Sequence, residues 1–446
     1  MRSDAVHPAL PRRAPGVTWP WLRAQWRRQA RNPLARRSAF VMGSQFSIAL
    51  LQALQFFLLA RALGPAEFGH VASVVAIVSV LVPFSGLGLG NMAVLRIARG
   101  QASAATSLGN ALAMTTGTAV IGVALAVAIG AGFLREPGTW LLMLLVGVSD
   151  ILLTKYIDVA AHVFYGLDRH RFPVLFYNLH MAARVLCAAA LWAGLTPPTA
   201  LAWAGLHLAS GVVAATAVLA TAIAMLGRPR TALASAIADA RSGFFFSVSI
   251  ASRSVQFDID KSVLARSAST ATAGVYTAAF RIVFMACMPV FALMVAVQAR
   301  MFRKGHEAGL PGTLRAVRPL VMAAAAYCVV LGVALYAGAP AVPWLLGESY
   351  HGSVEIMRWM CLLPVFFTTH TIAAAALAGA DAQQPLGLVH ALTAGVALVL
   401  NLQLVPGFGW AGAVMAAYGS HAFLLAGMLV LIVVRLRKPV PQAVAP

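Results

Sequence analysis

The sequence predicts an all-α integral membrane protein of about twelve transmembrane helices, arranged as two pseudo-symmetric six-helix bundles. Three observations lead there: the apolarity of the chain, the uneven placement of its basic residues, and a weak internal repeat. Of 446 residues, 60% are hydrophobic and 10% charged, and the mean hydropathy is +0.82. Soluble domains carry about 25% charged residues, so this chain has too few charges to solvate a water-facing surface of its size. Apolar runs recur roughly over 38–60, 70–94, 107–131, 139–165, 172–194, 199–226, 242–265, 273–299, 316–338, 355–379, 385–405 and 410–434. About 20 apolar residues form a helix long enough to cross a ~30 Å hydrocarbon core. The 339–350 segment is a candidate to dip into the bilayer.

The net charge of +20 would suit nucleic acid, but its distribution sets topology instead. With the amino terminus inside, the inner segments hold 24 of the 33 Lys and Arg, nine of them within residues 1–37. The outer segments hold four, Arg61, Arg135, Arg266 and Arg358. Such an excess marks the cytoplasmic face and puts both termini there. In the 1–37 tail, Trp19, Leu22 and Trp26 share one helical stripe and Arg23, Arg27 and Arg31 the next. That pattern fits either a helix lying on the inner leaflet or an unstructured basic tail. The tail is too long and too basic for a cleavable signal.

The most polar interior stretch, 227–241, divides the spans six and six. The expected organisation is a basic tail (1–37), a first bundle (38–226), a cytoplasmic linker (227–241), a second bundle (242–434) and a tail (435–446). At an offset of 205, "LARALGPAEFGHVASVVAIV" (59–78) aligns with "LARSASTATAGVYTAAFRIV" (264–283), placing Gly69 on Gly274. An even number of spans per half gives both halves the same orientation, a plan that puts a midplane cavity at their interface.

The seventh span carries Arg253, Asp258, Asp260 and Lys261, although each charge at a bilayer centre costs at least ~2.5 kcal/mol. At 100° per residue the four fall in an arc of about 160°, with Gln256 beside Asp260 and an apolar arc opposite. Asp258 and Lys261 are three residues apart and within reach of each other. Arg281 of the eighth span lies at the depth of Asp258. The fourth span adds Asp150, Lys155 and Asp158, and the fifth adds Arg184 near the level of Lys155. These charges are either mutually neutralising pairs that fix packing or the lining of a water-filled cavity between the halves. Three bases on spans seven and eight suit an anionic ligand, because guanidinium binds phosphate oxygens through a fork of donors.

Other motifs are weak. "GLGLGN" (86–91) has no strand or βαβ context for a dinucleotide turn and is expected to pack a helix end. The eleven histidines show no metal-ligand spacing, and the four cysteines fall inside spans as small core residues. No P-loop is present, and no outer loop is long enough for a catalytic domain. No cofactor, metal or nucleic acid is expected.

"LLARALGPAEFGHVASVVAIVSVLVPFSGLGLGNMAVLR" (58–96) resembles the signature of polysaccharide-biosynthesis (O-antigen) flippases of the multidrug/oligosaccharidyl-lipid/polysaccharide (MOP) exporter superfamily. "FDIDKSVLARSASTATAGVYTAAFRIV" (257–283) resembles the second-half motif of the family, and "LLGESY" (345–350) and "LVPGFGWAGAVMAAYGS" (404–420) its late motifs. The resemblance implies a V-shaped pair of bundles and rocker-switch alternating access. It implies a flippase for an undecaprenyl-pyrophosphate-linked oligosaccharide, an O-antigen or exopolysaccharide unit, crossing from the inner to the outer leaflet of a bacterial inner membrane. Expected partners are that substrate, membrane lipids and other polysaccharide-assembly proteins, with no enzymatic activity. Lipid II flippases of the superfamily usually have fourteen helices, so twelve argues against that branch. The first span lacks any charge between Arg37 and Arg61 and offers only Gln45, Gln52 and Gln55, which leaves the anion site mainly to the second half.

In this reading Arg281, Arg253 and Lys261 hold the pyrophosphate, and Gln52, Gln55 and Gln256 hydrogen-bond sugar hydroxyls. Asp258 and Asp260 hold those bases or exchange ions, and Asp150, Lys155, Asp158 and Arg184 form ion pairs or take part in ion coupling. The rival within the superfamily, a cation-coupled multidrug antiporter, would prefer acids in its cavity. A membrane glycosyltransferase or polymerase would need acid/base residues in outer loops, where Glu348 and Glu355 are thin support.

Overall fold

A computed structural model describes residues 33–437, so the expected surface helix in the 1–37 tail lies almost wholly outside the described residues. Among them there is no strand. Seven helices are long and apolar enough to cross a membrane, and nine if each of two bent pairs is one span. Two of the seven reverse at a glycine with positive φ, Gly64 (69°) and Gly409 (57°), and each counts as two rods. The charged helix Leu233–Ser267 completes twelve. The rods are α1 (33–63), α2 (65–98), α3 (Ala104–Phe133), α4 (Thr139–Gly166), α5 (Arg171–Trp192) and α6 (Ala200–Leu226). The second set is α7 (Leu233–Ser267), α8 (270–307), α9 (310–338), α10 (353–379), α11 (383–408) and α12 (410–436). The chain is thus a multi-pass membrane protein.

Local chemistry sets the ends of these rods. Ser103, Thr199 and Ser269 cap α3, α6 and α8 by accepting from Thr106, Ala202 and Thr272 N–H, each satisfying a backbone donor that the first turn leaves free. Pro65 follows Gly64, its fixed φ suited to starting α2. Large aliphatics such as Val120 (67% exposed), Ile121 (70%) and Val330 (68%) cover the outside, as a hydrocarbon solvent permits.

The halves α1–α6 and α7–α12 meet along α1, α2, α7 and α8, and one buried apolar cluster runs from the first half into the second. The ends of the bundle carry different loops. The linker end holds residues 99–103 and 227–232, and the far end holds 134–138, 193–199 and 339–352. At the far end the halves are tied by the Tyr350 hydroxyl donating to Ala60 O (2.8 Å) and by Arg61 to Leu345 O (3.3 Å). Arg266 joins them by donating to Phe133 O (2.9 Å). The segment 339–350 folds as short helical turns that seat the buried Tyr350.

The repeat reappears as a contact. A Cβ on Gly69 would lie 1.7 Å from Thr270 O and 2.6 Å from Gly274 N, and one on Gly274 would lie 2.0 Å from Pro65 O and 3.0 Å from Gly69 N. Pro65 and Thr270, like Gly69 and Gly274, are 205 residues apart. The contact is self-complementary, as a two-fold axis requires. Both positions must be glycine because backbone meets backbone there.

Two spans differ from the sequence reading. α7 starts at Leu233, inside the stretch expected to be a linker, because Ala236 and Ala240 are buried and Asp239 pairs with Arg96 (2.5 Å). α2 is not one continuous helix: Ser85, Gly86 and Leu87 leave helical geometry, with Gly86 and Gly88 at φ +73°. The GLGLG glycines therefore break the span midway as well as packing it, Gly88 meeting the Gly243 backbone of α7.

Candidate functional site

The charges of α7 divide by depth. Lys261 is sealed, 2% exposed, between Asp260 (3.0 Å), Asp258 (3.4 Å) and its own helix, where Phe257 O accepts from it. The ring of Phe280 lies 4.0 Å from its Nζ. Asp260 also accepts from the Tyr276 hydroxyl of α8 (2.6 Å), and Asp258 from Ser79 of α2 (3.1 Å). An unpaired charge buried here would cost several kcal/mol, so Lys261 and the two carboxylates that share it form a knot that is stable only as a unit. Around it Phe284 and Phe367 lie 6.0 Å apart, and each lies 5.5–6.3 Å from Phe257 and from Phe280, mostly edge to face.

Arg253 and Arg281 are different. Both are exposed, and neither has an ion pair or hydrogen bond among the described residues. Arg253 is two turns of α7 nearer the linker end than the knot. On its arc of the helix Ser242, Phe246 and Ile250 are also exposed, whereas Gln256 and Asp260 are buried. The face is thus open from the linker end up to Arg253 and closed beyond it. The equal depth of Arg281 and Asp258 does not bring them together; Asp258 is satisfied by Lys261 and Ser79. Likewise Arg253 and Asp260, seven residues apart, are unpaired, because Tyr276 and Lys261 already occupy the carboxylate.

Gln256 is buried, its amide Nε2 3.1 Å from His421 Nδ1 and its Oε1 without a partner. His421 stacks on His370 at 5.3 Å with rings 5° apart. This histidine pair on α10 and α12 was not legible in sequence, since each imidazole is alone on its helix; depth matching of single polar residues was the only available signal. In α1, Gln52 is exposed and Gln55 half-buried. Gln45 and Gln52 share one side of α1, away from the exposed Phe46, Leu50 and Leu54.

The first half holds two compact charge groups. Lys155 donates to Asp158 (2.9 Å), which also accepts from Tyr177 (2.7 Å). Arg184 pairs with Asp150 (2.6 Å), not with the Lys155 group, and His207 of α6 lies 2.9 Å from the same Asp150 oxygen. Asp150 sits in a π-helical turn, Val148–Leu153, of α4. No set of three or more potential metal ligands occurs among the described residues.

The fold is similar to that of solved MOP-superfamily transporters. An inward-facing multidrug-resistance MATE family transporter of that superfamily superposes with a TM-score of 0.70 at 13% identity, over 90% of this chain and 100% of that one. A second relative is a MOP superfamily transporter from Pyrococcus furiosus, described by a reversed polarity of its binding pocket. It gives 0.59 at 15% identity, covering 90% and 96%. An outward-facing MATE transporter gives 0.58 at 13% identity, covering 89% and 97%. A comparison with curated proteins gives no match. The model of the family described as "Polysaccharide biosynthesis protein" matches residues 34–304. The chain belongs to that family.

Proposed function

We propose that this protein is a non-enzymatic flippase that moves an undecaprenyl-pyrophosphate-linked oligosaccharide from the inner to the outer leaflet of a bacterial inner membrane, with both termini cytoplasmic. Membership of the polysaccharide biosynthesis family supports the cargo class. The observation that carries the reading is the imbalance left after pairing. Asp150, Asp158, Asp258 and Asp260 each lie against a base, whereas Arg253 and Arg281 are exposed and unpaired. Asp258 and Asp260 share Lys261, so one carboxylate charge is left against two exposed guanidinium groups. A positive surplus attracts an anion and repels a cation, which disfavours a cationic-drug antiporter. Arg253 and Arg281 take the pyrophosphate, and Gln52 with Gln45 offers amide groups to sugar hydroxyls. Lys261 acts through the knot, holding α7 to α8, and does not reach the cargo in this conformation.

The test is export of lipid-linked oligosaccharide in a deletion strain carrying variants. Arg281→Ala should abolish export, and Arg281→Lys should keep part of it, because the charge stays but the planar fork is lost. The Arg281→Ala/Asp258→Ala pair should not recover export; recovery would make Arg281 a neutralising partner and remove the basis of the reading.

A further inference from the structure

We propose a second anion site at the linker end, where a pocket between α2, the first turn of α3 and the start of α7 takes a phosphate group. The phosphate belongs either to a small soluble molecule or to a lipid headgroup. The pocket has a volume of about 310 Å³ and is lined among others by Arg96, Thr106, Ser107, Asn110, Ser235 and Asp239. That size is at the small end of small-molecule sites. The pocket is separate from the cavity of Arg253 and Arg281, since Arg253 lies about 14 residues, or ~21 Å, further along α7 than Asp239. The inference does not rest on the flippase reading, and its test contains no cargo.

Short polar residues build the walls. Ser103 ends the 99–103 loop and caps α3, its hydroxyl accepting from Thr106 N–H (3.1 Å). The linker lies directly on α3: Arg230 N donates to Ala105 O (3.2 Å), and a Cβ on Gly109 would come 2.2 Å from Arg230 O. Asn110 clamps the beginning of α7, with its Oδ1 accepting from Ala232 N (2.6 Å) and its Nδ2 donating to Ser235 (3.0 Å). Arg96 of α2 closes the remaining side by pairing with Asp239 of α7 (2.5 Å). Each wall is fixed by its neighbours, and the space between them stays open.

Three features select an anion. α3 is 30 residues long, and the end that forms the pocket wall is its amino terminus, where N–H groups without helical partners carry partial positive charge. Ser107 lines the pocket and is only 8% exposed, yet its hydroxyl has no hydrogen-bond partner among the described residues. A ligand oxygen in the pocket would satisfy it. Residues 96–110 and 227–241 together hold five arginines, Arg96, Arg99, Arg228, Arg230 and Arg241, against one acid, Asp239. Asp239 already lies against Arg96, so the field left over is positive. A phosphate would take the guanidinium fork of Arg96 and the hydroxyls of Thr106 and Ser107. It competes with Asp239 for Arg96, so occupancy loosens an ion pair that fastens α2 to α7.

The test is calorimetric titration with inorganic phosphate, at fixed ionic strength, of purified full-length protein in phosphatidylcholine nanodiscs. A saturable component should appear, and it should weaken by about ten-fold or more in Arg96→Ala and in Ser107→Val. Asp239→Asn should tighten it, because the competing charge is gone; a misfolded variant would not give such a gain. The component should survive in Arg253→Ala/Arg281→Ala. It should change by less than about two-fold in Arg99→Ala, which removes the same charge outside the pocket lining. If free phosphate does not saturate, nanodiscs containing phosphatidic acid decide the source. Protection of 101–107 from hydrogen exchange in the wild type, lost in Arg96→Ala, makes a lipid headgroup the ligand. Binding in neither arm overturns the site. So does loss of the component in Arg253→Ala/Arg281→Ala, an equal loss in Arg99→Ala, or weaker binding in Asp239→Asn.

Discussion

The two lines along which the halves meet differ. Between α2 and α7 the contact is tied at every level. Ser262 donates to Ser73 O (2.8 Å), Ser79 to Asp258 (3.1 Å), Gly88 abuts Gly243, and Arg96 pairs with Asp239. The pseudo-two-fold maps this line onto α8 and α1, where the same positions are Ala278 and Phe57, and Phe284 and Ala53. Among the described residues no hydrogen bond or ion pair joins 43–55 of α1 to α8; Ser44 and Ser47 turn instead to Asn178 of α5. Phe46 is 73% and Leu50 61% exposed. Duplicated halves have thus acquired one fastened line and one greasy, unfastened line. The difference teaches that symmetry of fold need not be symmetry of motion: hydrogen bonds hold a hinge, and apolar contacts without register can part.

The largest effect is expected where backbone meets backbone on the fastened line. Gly243→Val places a side chain 2.1 Å from Leu87 O and should cost about 3 kcal/mol or more, seen as loss of a monodisperse peak in detergent. Ala53→Val at the unfastened line should leave that peak intact. If Ala53→Val were equally destructive, the contrast between the lines would fail.

Crosslinking sharpens the same contrast. With the native cysteines replaced, Ser73→Cys/Ser262→Cys joined by a short bifunctional thiol reagent should leave most export intact. Ala53→Cys/Phe284→Cys joined in the same way should stop it. Inhibition at Ser73/Ser262 would show that the fastened line also parts in the cycle. Next in size, Tyr276→Phe removes a charge-assisted bond to buried Asp260 and should destabilise by about 1.5–3 kcal/mol in thermal unfolding. Smallest is Arg96→Ala. That pair is partly exposed, so its loss should cost about 1 kcal/mol or less, with the penalty fading at high salt. The swap Arg96→Asp/Asp239→Arg should recover it.

Periodicity revealed much of this molecule because hydrocarbon solvent makes every span a continuous apolar run. It also placed the charges of α7 on one arc and brought Asp258 within reach of Lys261, as observed. What it could not supply was partner choice. Helical spacing gives an angle and a depth but not the neighbour: Arg281 shares the depth of Asp258 without pairing with it, and Lys261, expected with Arg253 on the pyrophosphate, is buried in the knot. The α2 break was invisible because its glycines suit a packed helix and a break equally well; only the φ of +73° at Gly86 and Gly88 separates the two. The extension of α7 back to Leu233 was hidden by composition, since its turns are polar except for the alanines that touch the first half.

The Gly69–Gly274 contact also has a mechanical meaning. Two helices touching without side chains have no knobs to disengage, so the joint behaves as a bearing. From Gly274 to the linker end of α8 is about 33 residues, a lever of about 45 Å once the 43° bend near Cys287 is included. A tilt of about 10° at the bearing then swings that end by about 8 Å, close to the width of a helix. A movement too small to disturb the knot around Lys261 is therefore large enough to open a passage at the opposite end of the same rod.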